Sequence, residues 1–343
     1  MRQIPGAHGR RTAAVVTLAL ALTATLHRPA VAAPQTLAEV RAELDRLYHR
    51  AEVATEKYNA LDGKVTRQEK RLGTLRTQVA SAERKLSRLT GLAGAAARSQ
   101  YRGGGVPAEV QFALAGDPER ALDNASLVRR AQLGTQRVIS ALTTTKEELR
   151  TRGDAAAEEL KRLRRNRGSL DSHRRTIRSR IDEARTVESR LEEKQRRELA
   201  ALERRTADEA QAEWVRSGVD GAGTEGSSAG REAVAFATGE LGKPYVWGAE
   251  GPDSYDCSGL TSKAWLAAGV VIPRTSQEQW RRLHRVPVGK MRPGDLIIYN
   301  ADASHVSLYI GDGRMIHAPR PGRRVTVAPA GSMEILGAVR PDA

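Results

Sequence analysis

A seven-residue repeat of apolar side chains constrains the fold of this chain more than any other feature. It starts at Leu37 and continues to Leu89 without a slip, and Gln68 is its one polar member. A strict seven-residue period of this length predicts a long helix that packs along a narrow seam, as in a left-handed coiled coil. Gln68 either fixes the register of that packing or is a tolerated defect. The seam residues are Leu37, Val40, Leu44, Leu47, Ala51, Ala54, Tyr58, Leu61, Val65, Gln68, Leu72, Leu75, Val79, Ala82, Leu86 and Leu89.

A second helical stretch follows a segment rich in glycine and alanine. In GDPERAL, Asp117 suits a helix N-cap and Pro118 suits the first helical position. An apolar stripe then continues to about Trp214, which predicts an antiparallel hairpin of two long helices with a small helical cap near residues 105–135. Pairing of the first helix with a second chain is the alternative. The stripe consists of Leu142, Leu149, Ala156, Leu163, Leu170, Ile177, Ala184 and Leu191.

The first 33 residues have the pattern of an export signal. Three arginines precede an apolar stretch of 15 residues, TAAVVTLALALTATL, and AVAA offers a cleavage site after Ala32 or Ala33. The apolar stretch is shorter than the ~20 residues of a membrane-spanning helix. We therefore expect a secreted, cell-wall-associated protein with no stable membrane span after cleavage. An uncleaved anchor is the alternative.

The charge of the chain is unevenly distributed. Of the net +15, residues 1–33 contribute +4 (four arginines) and residues 230–343 contribute +3 (14 basic, 11 acidic), which leaves 38 basic and 30 acidic residues, or +8, in between. Charge on a long helical arm is usually a solvated face. Attraction to polyanions outside the cell is the functional alternative. Nucleic acid is not an expected partner, because the chain is exported and has no reading motif.

Residues 217–229 are rich in glycine and serine and form the predicted linker. The segment contains GAGTEG, which matches the GxGxxG pattern of a dinucleotide-binding loop. That loop requires a preceding strand within a βαβ unit, whereas here a charged helix precedes it. The division is therefore a signal at 1–33, a helical arm at 34–216, the linker at 217–229 and a C-terminal domain at 230–343.

The C-terminal domain has the pattern of an α+β fold. REAVAFATGEL and CSGLTSKAWLAAG predict two helices that end near Gly242 and Gly269. Five short strand-like segments follow, separated by tight-turn signals such as GDG at 311–313. Helices followed by an antiparallel sheet place the domain in the α+β class. The predicted strands are DLIIYN, HVSLYIG, RMIHA, RVTVAP and EILGAVR.

Cys257 is the one cysteine in 343 residues, so it forms no disulfide within the chain. It lies at the start of the second predicted helix, where unpaired amide groups and the helix dipole favour a thiolate and predict a lowered pKa. Three interpretations remain open from the spacing of the residues. Cys257 is a nucleophile, a small buried core residue, or one of three zinc ligands.

Two histidines are candidates for the base that such a nucleophile needs. His305 and His317 lie twelve residues apart on adjacent predicted strands joined by GDG. Hairpin pairing would bring them together on one face. His305 could then act as the base to Cys257, and His317 could orient it through a ring-to-ring hydrogen bond.

Four segments of the C-terminal domain together resemble the NlpC/p60 family of bacterial cell-wall cysteine peptidases. They are GKPYVWGAEGPDSYDCSGLTSKAW, IPRTSQEQW, MRPGDLIIY and SHVSLYIGDGRMIHAP, within residues 230–340. The resemblance implies a papain-like α+β catalytic domain with Cys257 as nucleophile, His305 as base and His317 as the third polar residue. It also implies that Tyr245 contacts the oxyanion or the substrate. Asp256 and Ser258 match residues that help to bind the peptide.

The same resemblance implies a secreted hydrolase that cleaves peptidoglycan stem peptides at a γ-D-glutamyl–diamino acid bond, with no cofactor and no metal. The arm is then expected to regulate or target the enzyme, with division or wall-remodelling proteins as candidate partners. Two alternatives remain, namely a non-catalytic coiled-coil adaptor that activates other hydrolases, and an amidase or acyltransferase on the same scaffold.

Overall fold

The computed structural model describes residues 36–102, 110, 118–217 and 225–343. The predicted signal at 1–33, the Asp117 cap, linker residues 218–224 and part of the predicted helical cap lie outside the described residues. Among the helices that the structure does describe, none combines the length and the apolar character of a membrane span.

The described part of the helical arm contains three long helices. They are α1 (Leu37–Arg102), α2 (Pro118–Ser189) and α3 (Glu193–Arg216). α1 and α2 pack against each other within one chain and run antiparallel, since Tyr48 contacts Glu188 and Gln68 contacts Asn166. The first helix of the predicted hairpin therefore pairs with the second helix of the same chain. Buried residues of the α1–α2 contact include Leu44, Ala51, Val65, Leu72, Leu163, Ile177 and Ala184.

The polar member of the apolar repeat has a partner on the opposite helix. Asn166 Nδ2 donates a hydrogen bond of 2.7 Å to Gln68 Oε1. A polar pair inside an apolar seam favours one alignment of the two helices, because any shift leaves both amides without a partner. This contact supports the register interpretation of Gln68.

The second helix does not continue to Trp214 as predicted, but breaks at residues 190–192. A new N-terminus forms there, and a capping box between Glu192 and Gln195 satisfies its amide groups. The break has a packing reason, because Leu191 before α3 and Leu199 within it lie in one buried cluster with Val40 and Leu44.

The C-terminal part consists of three short helices and a six-stranded antiparallel sheet, which confirms the predicted α+β class. The sheet order is β1-β6-β2-β3-β4-β5. The helices are α4 (Ser228–Gly239), α5 (Cys257–Ala267) and α6 (Ser276–Arg282). The strands are β1 (His284–Val286), β2 (Leu296–Tyr299), β3 (His305–Gly311), β4 (Arg314–His317), β5 (Thr326–Pro329) and β6 (Ile335–Arg340), with a 3-10 turn at Val288–Lys290.

Both faces of the sheet are buried. Along β2, Leu296 and Ile298 pack with Trp265 of α5 on one face, whereas Ile297 and Tyr299 lie in a second cluster on the other. This alternation follows from the two-residue period of a strand. The helices α4 and α5 therefore lie on one face of the sheet, and α5 carries Cys257.

The last helix of the arm covers part of the second face. Trp214 packs against this cluster, and Gln211 Oε1 accepts a 2.6 Å hydrogen bond from the Gly331 amide. A Cβ atom at Gly331 would lie 2.5 Å from Trp214 Cβ, so this approach requires glycine. The arm thus contacts the C-terminal part behind the sheet as well as at the cleft described below.

β1 and α6 are additional to the elements predicted from the sequence. The HRV residues of the WRRLHRV segment pair with β6 at the edge of the sheet. Edge strands are often short and charged, because such residues discourage pairing with other chains.

Candidate active site

Cys257 is the first residue of α5, as its position in the sequence predicted. Asp256 caps this helix and accepts a 2.7 Å hydrogen bond from the Gly259 amide. Gly259 allows a close approach, since a Cβ atom there would lie 2.2 Å from the Ala249 carbonyl oxygen. The backbone of this turn therefore fixes the position of the thiol, which is only 2% exposed.

His305 and His317 are close together on neighbouring strands. His305 begins β3 and His317 ends β4, and the Gly311–Gly313 turn joins these strands. His305 Nε2 and His317 Nδ1 are 3.0 Å apart, and the two rings meet edge to face. The ring-to-ring hydrogen bond expected from the spacing is present.

The protonation of His317 bears on the hydrogen bond between the two rings. Burial, with His305 as a second cause, holds the pKa of His317 well below its usual value, so the ring is neutral. A neutral His317 can accept at Nδ1, and in that tautomer His305 Nε2 is the donor and Nδ1 of His305 is its basic atom. The two rings therefore prepare Nδ1 of His305 to take a proton.

The thiol has further groups around it. The Val306 amide hydrogen-bonds to the sulfur of Cys257. Tyr245 is buried, and burial raises the pKa of its hydroxyl well above the usual value, with the charge of Cys257 as the next cause. The phenol therefore stays protonated next to the sulfur and can donate a hydrogen bond.

Asp256 and Ser258 share one cluster with an arginine that the sequence analysis did not single out. Arg274 donates to both oxygens of Asp256, at 2.7 and 3.0 Å, and to Ser258 Oγ at 2.8 Å. Arg274 follows the proline in the quoted IPRTSQEQW segment. Arg274 could not be recognised as a site residue from the sequence, since arginines are common throughout this chain.

Helix α1 occupies the cleft above the thiol. Glu56 Oε1 lies 3.7 Å from Cys257 Sγ and 2.7 Å from Ser258 Oγ, and Glu56 Oε2 accepts from the Ser276 amide at 3.1 Å. One helical turn further along the chain, Asn59 Nδ2 donates to Asp256 Oδ2 at 3.0 Å. Both side chains are buried.

The same helix also covers the base. Glu52 Oε1 lies 3.4 Å from His305 Nδ1, the nitrogen that would receive the proton of the thiol, although without the alignment of a hydrogen bond. His49 Nε2 lies 3.3 Å from an oxygen of Asp302, in the loop before His305. Tyr58 meets Trp247 edge to face. The side chains that enter the cleft thus lie along one face of α1.

A second contact region joins the arm to the loop after β4. Glu203 of α3 binds two arginines, with Oε1 2.9 Å from Arg320 Nη2 and Oε2 2.8 Å from Arg323 Nη2. Arg320 also approaches Glu188 of α2 at 3.3 Å and stacks on the Tyr48 ring of α1 at 4.2 Å. The helices α1, α2 and α3 therefore meet at Arg320.

The prediction of a lowered thiol pKa is wrong for this conformation. Burial raises the pKa of Cys257 well above its usual value, and the carboxylates of Glu56, Asp256 and Glu52 raise it further. These effects outweigh the helix N-terminus because the sulfur has no contact with solvent and faces several acids. With the arm in place, the sulfur is a thiol.

Nothing in the sequence distinguished the residues of the arm that enter the cleft. Glu52, Glu56 and Asn59 lie off the apolar seam, where polar residues normally face solvent. Glu52, Glu56 and Asn59 follow one another at spacings of four and three residues, which is the one available signal. A helix that faces solvent has the same spacing of polar residues, so this signal does not identify contacts with the cleft. As for zinc, the described residues contain no group of three His, Cys, Asp or Glu side chains that could hold a metal ion.

Residues 242–334 match the model of the NlpC/P60 family. A probable endopeptidase of Mycobacterium tuberculosis is 38% identical over 113 residues, which cover 33% of this chain and 28% of the relative. A probable endopeptidase of Corynebacterium glutamicum is 44% identical over 92 residues, or 27% of this chain and 44% of the relative. The probable endopeptidase p60 of Listeria monocytogenes is 42% identical over 91 residues, or 26% and 19%. The matched segment spans less than half of each relative.

Two solved structures are similar to the same part of the chain. The NlpC/p60 domain of the peptidoglycan hydrolase SagA is 33% identical and covers 32% of this chain and 97% of that chain, with a TM-score of 0.31. An NlpC/P60 family protein from Bacillus cereus is also 33% identical and covers 35% and 41%, with a TM-score of 0.31.

Proposed function

Because residues 242–334 form an NlpC/P60 domain, we propose that this chain is a secreted cysteine endopeptidase that hydrolyses the stem peptides of peptidoglycan. The observation that carries the proposal is that the backbone of Val306, next to His305 in the chain, interacts with the buried sulfur of Cys257, while the His305 ring lies 3.0 Å from His317. The relatives that match this segment are named probable endopeptidases, which supports the same activity. The bond proposed for cleavage joins γ-D-glutamate to a diamino acid.

The proposed chemistry begins with transfer of the thiol proton to Nδ1 of His305. The thiolate of Cys257 attacks the carbonyl carbon, and the oxyanion that forms can be stabilised by the Tyr245 hydroxyl and by amides at the start of α5. The His305 imidazolium protonates the leaving amine and then, as imidazole, activates the water that hydrolyses the thioester. His317 accepts the hydrogen bond of His305 throughout and stabilises its charged form.

The arm is proposed to restrain this chemistry. Substrate cannot reach Cys257 while Glu56 and Asn59 fill the cleft, and Glu52 lies beside the nitrogen of His305 that must accept the proton. The raised thiol pKa has the same effect, because the nucleophilic thiolate is disfavoured. Targeting by the arm to division or wall-remodelling proteins is compatible with restraint, because a partner that binds the arm would also release it.

The pH dependence of release follows from Glu56. Burial, and next the charge of Asp256, raise the pKa of Glu56 to about 8 with the arm in place, against 4.5 for the ordinary side chain. Arg274 and Ser258 oppose this shift only in part. Glu56 holds its proton more tightly when the arm is docked than when it is released. Docking is therefore favoured at low pH and weakens as the pH rises from about 4.5 to about 8.

We therefore expect alkylation of Cys257 to increase more steeply between about pH 5 and about pH 8 in the unchanged chain than in Glu56→Gln, which imitates the protonated acid. The comparison cancels the titration of the thiol in the released state, where Glu56 no longer faces Cys257. Alkylation can be followed by mass spectrometry of the intact protein. Identical pH profiles for the two proteins would contradict the role of Glu56.

The activity itself can be tested on purified sacculi with the unchanged chain and with a released variant. The released variant carries Glu52→Ala, Glu56→Ala and Glu203→Ala, which remove carboxylates at both contact regions and leave Glu188 in place. An endopeptidase is expected to release fragments cut within the stem, whereas an amidase would release whole stems and an acyltransferase would yield joined peptides. Mass spectrometry of the soluble products separates these outcomes. Absence of products from both proteins would favour the adaptor alternative.

A further inference from the structure

The order of contacts along α1 allows distances along the cleft to be estimated from the rise of the helix. Glu56 lies at Cys257, Glu52 lies at His305 and Tyr48 lies under Arg320. Each step is four residues of one helix, which corresponds to about 6 Å. Arg320 is therefore about 6 Å beyond the base and about 12 Å from the thiol contact, on the side away from Asp256 and Ser258.

General acid catalysis identifies which part of a substrate lies on that side. His305 must protonate the leaving nitrogen, so the leaving part of the peptide lies near His305 and extends away from Cys257. Arg320 follows His317 by three residues, and both line one cavity of about 660 Å³ between the arm and the sheet. Arg323 and Glu203 line the same cavity.

The groups that already bind one another in this region show which class of ligand it suits. One carboxylate, that of Glu203, is bound by two guanidinium groups, one at each oxygen. Two arginines on a single carboxylate make a charge-assisted and directional site. When the arm leaves, Glu203 and Glu188 leave with it, and the two arginines lose these carboxylate partners.

We propose that Arg320 and Arg323 form a carboxylate-binding site on the leaving-group side of the cleft, filled by Glu203 while the arm is docked and by a substrate carboxylate after release. This inference rests on the proposed endopeptidase function and adds to it a preference among substrates. The favoured peptide carries a free carboxylate within one or two residues after the scissile bond, because Arg320 lies only about 6 Å beyond the base. Two sources fit this distance, namely the side-branch carboxylate of the diamino acid and the terminal carboxylate of a short stem.

The test uses the full chain as the released variant and three synthetic stem peptides. One peptide has both carboxylates free, one is amidated at the diamino acid and one is amidated at the C-terminus. We expect kcat/KM to fall about 10-fold or more for the peptide that lacks the bound carboxylate, which is the usual effect of losing a charged hydrogen-bond partner. The loss should appear mainly in KM, and the peptide that shows it identifies the source.

Two variants in the same background connect that preference to the arginines. Arg323→Gln changes a half-exposed side chain and should reduce the preference for the free carboxylate to within about two-fold, with Arg320→Gln acting in the same direction. Arg324→Gln is the matched control, because Arg324 donates instead to the Gly242 carbonyl. Equal hydrolysis of all three peptides by the released variant, or an unchanged preference in Arg323→Gln and Arg320→Gln, would overturn the site. Hydrolysis of none of the peptides would overturn the proposed function, and the site with it.

Discussion

The released variant is expected to hydrolyse stem peptides about 100-fold faster than the unchanged chain. It loses the Glu56 contacts at Ser258 and Ser276, the Glu52 carboxylate beside His305 and the double contact of Glu203. Hydrogen bonds to charged groups contribute about 1.5–3 kcal/mol each, so the loss of the two contacts of Glu203 with Arg320 and Arg323 shifts the balance between docked and released arm about 100-fold. The rate rises by the same factor as long as the released fraction remains small.

The matched control for this experiment lies on the same arm. Glu83, Glu147 and Glu213 are exposed, and their combined replacement by alanine changes the arm's charge by the same amount without touching the cleft. Its rate should remain within about two-fold of that of the unchanged chain, because exposed charges contribute little. A released variant that is no faster than this control would show that the arm does not restrain the enzyme. Alkylation of Cys257 measures opening independently of substrate.

Cys257→Ala in the released variant is expected to lower hydrolysis by about 10⁴-fold or more, because removal of a covalent nucleophile leaves only binding and oxyanion contacts. Cys257→Ser tests the same point with a smaller change, since serine lacks a comparably acidic proton. Ser262→Ala on the same helix is the control, since that hydroxyl bonds only to the Gly259 carbonyl within the helix. The thermal midpoint of each variant separates loss of chemistry from loss of fold.

Retention of more than a tenth of the activity in Cys257→Ala would exclude the thiol mechanism. The contact of Glu56 with Cys257 would then not restrain the enzyme, because Glu56 would cover a side chain that has no role in the reaction. A complete loss in Cys257→Ala together with full activity in Ser262→Ala is the expected pair of results.

The arm and the α+β class were predictable because both depend on local periodicity. The repeat that contains Leu44 and Leu72 fixed the buried face of α1, and the alternation around Ile297 and Ile298 fixed a strand buried on both faces. The pairing of His305 with His317 was predictable for the same reason, since a short hairpin turn joins their strands.

The docked arm was not predictable to the same degree. The contacts of Glu56 with Cys257 and Ser258 join residues about 200 positions apart in sequence, and no local pattern encodes such a separation. The error in the thiol pKa has the same origin. The position of Cys257 at a helix start is local, whereas the acids that reverse its effect come from another helix.

The anchorage of Trp214 against Gly331 gives the proposed restraint a further property. Together with the short connection between α3 and α4, it keeps the arm beside the cleft even when α1 has lifted away from Cys257. An inhibitor held in this way has an effective local concentration on the order of millimolar, whatever the concentration of the protein. Dilution of the enzyme into the wall would therefore not activate it. Release would last only as long as something else occupied α1, and it would reverse without synthesis of new inhibitor.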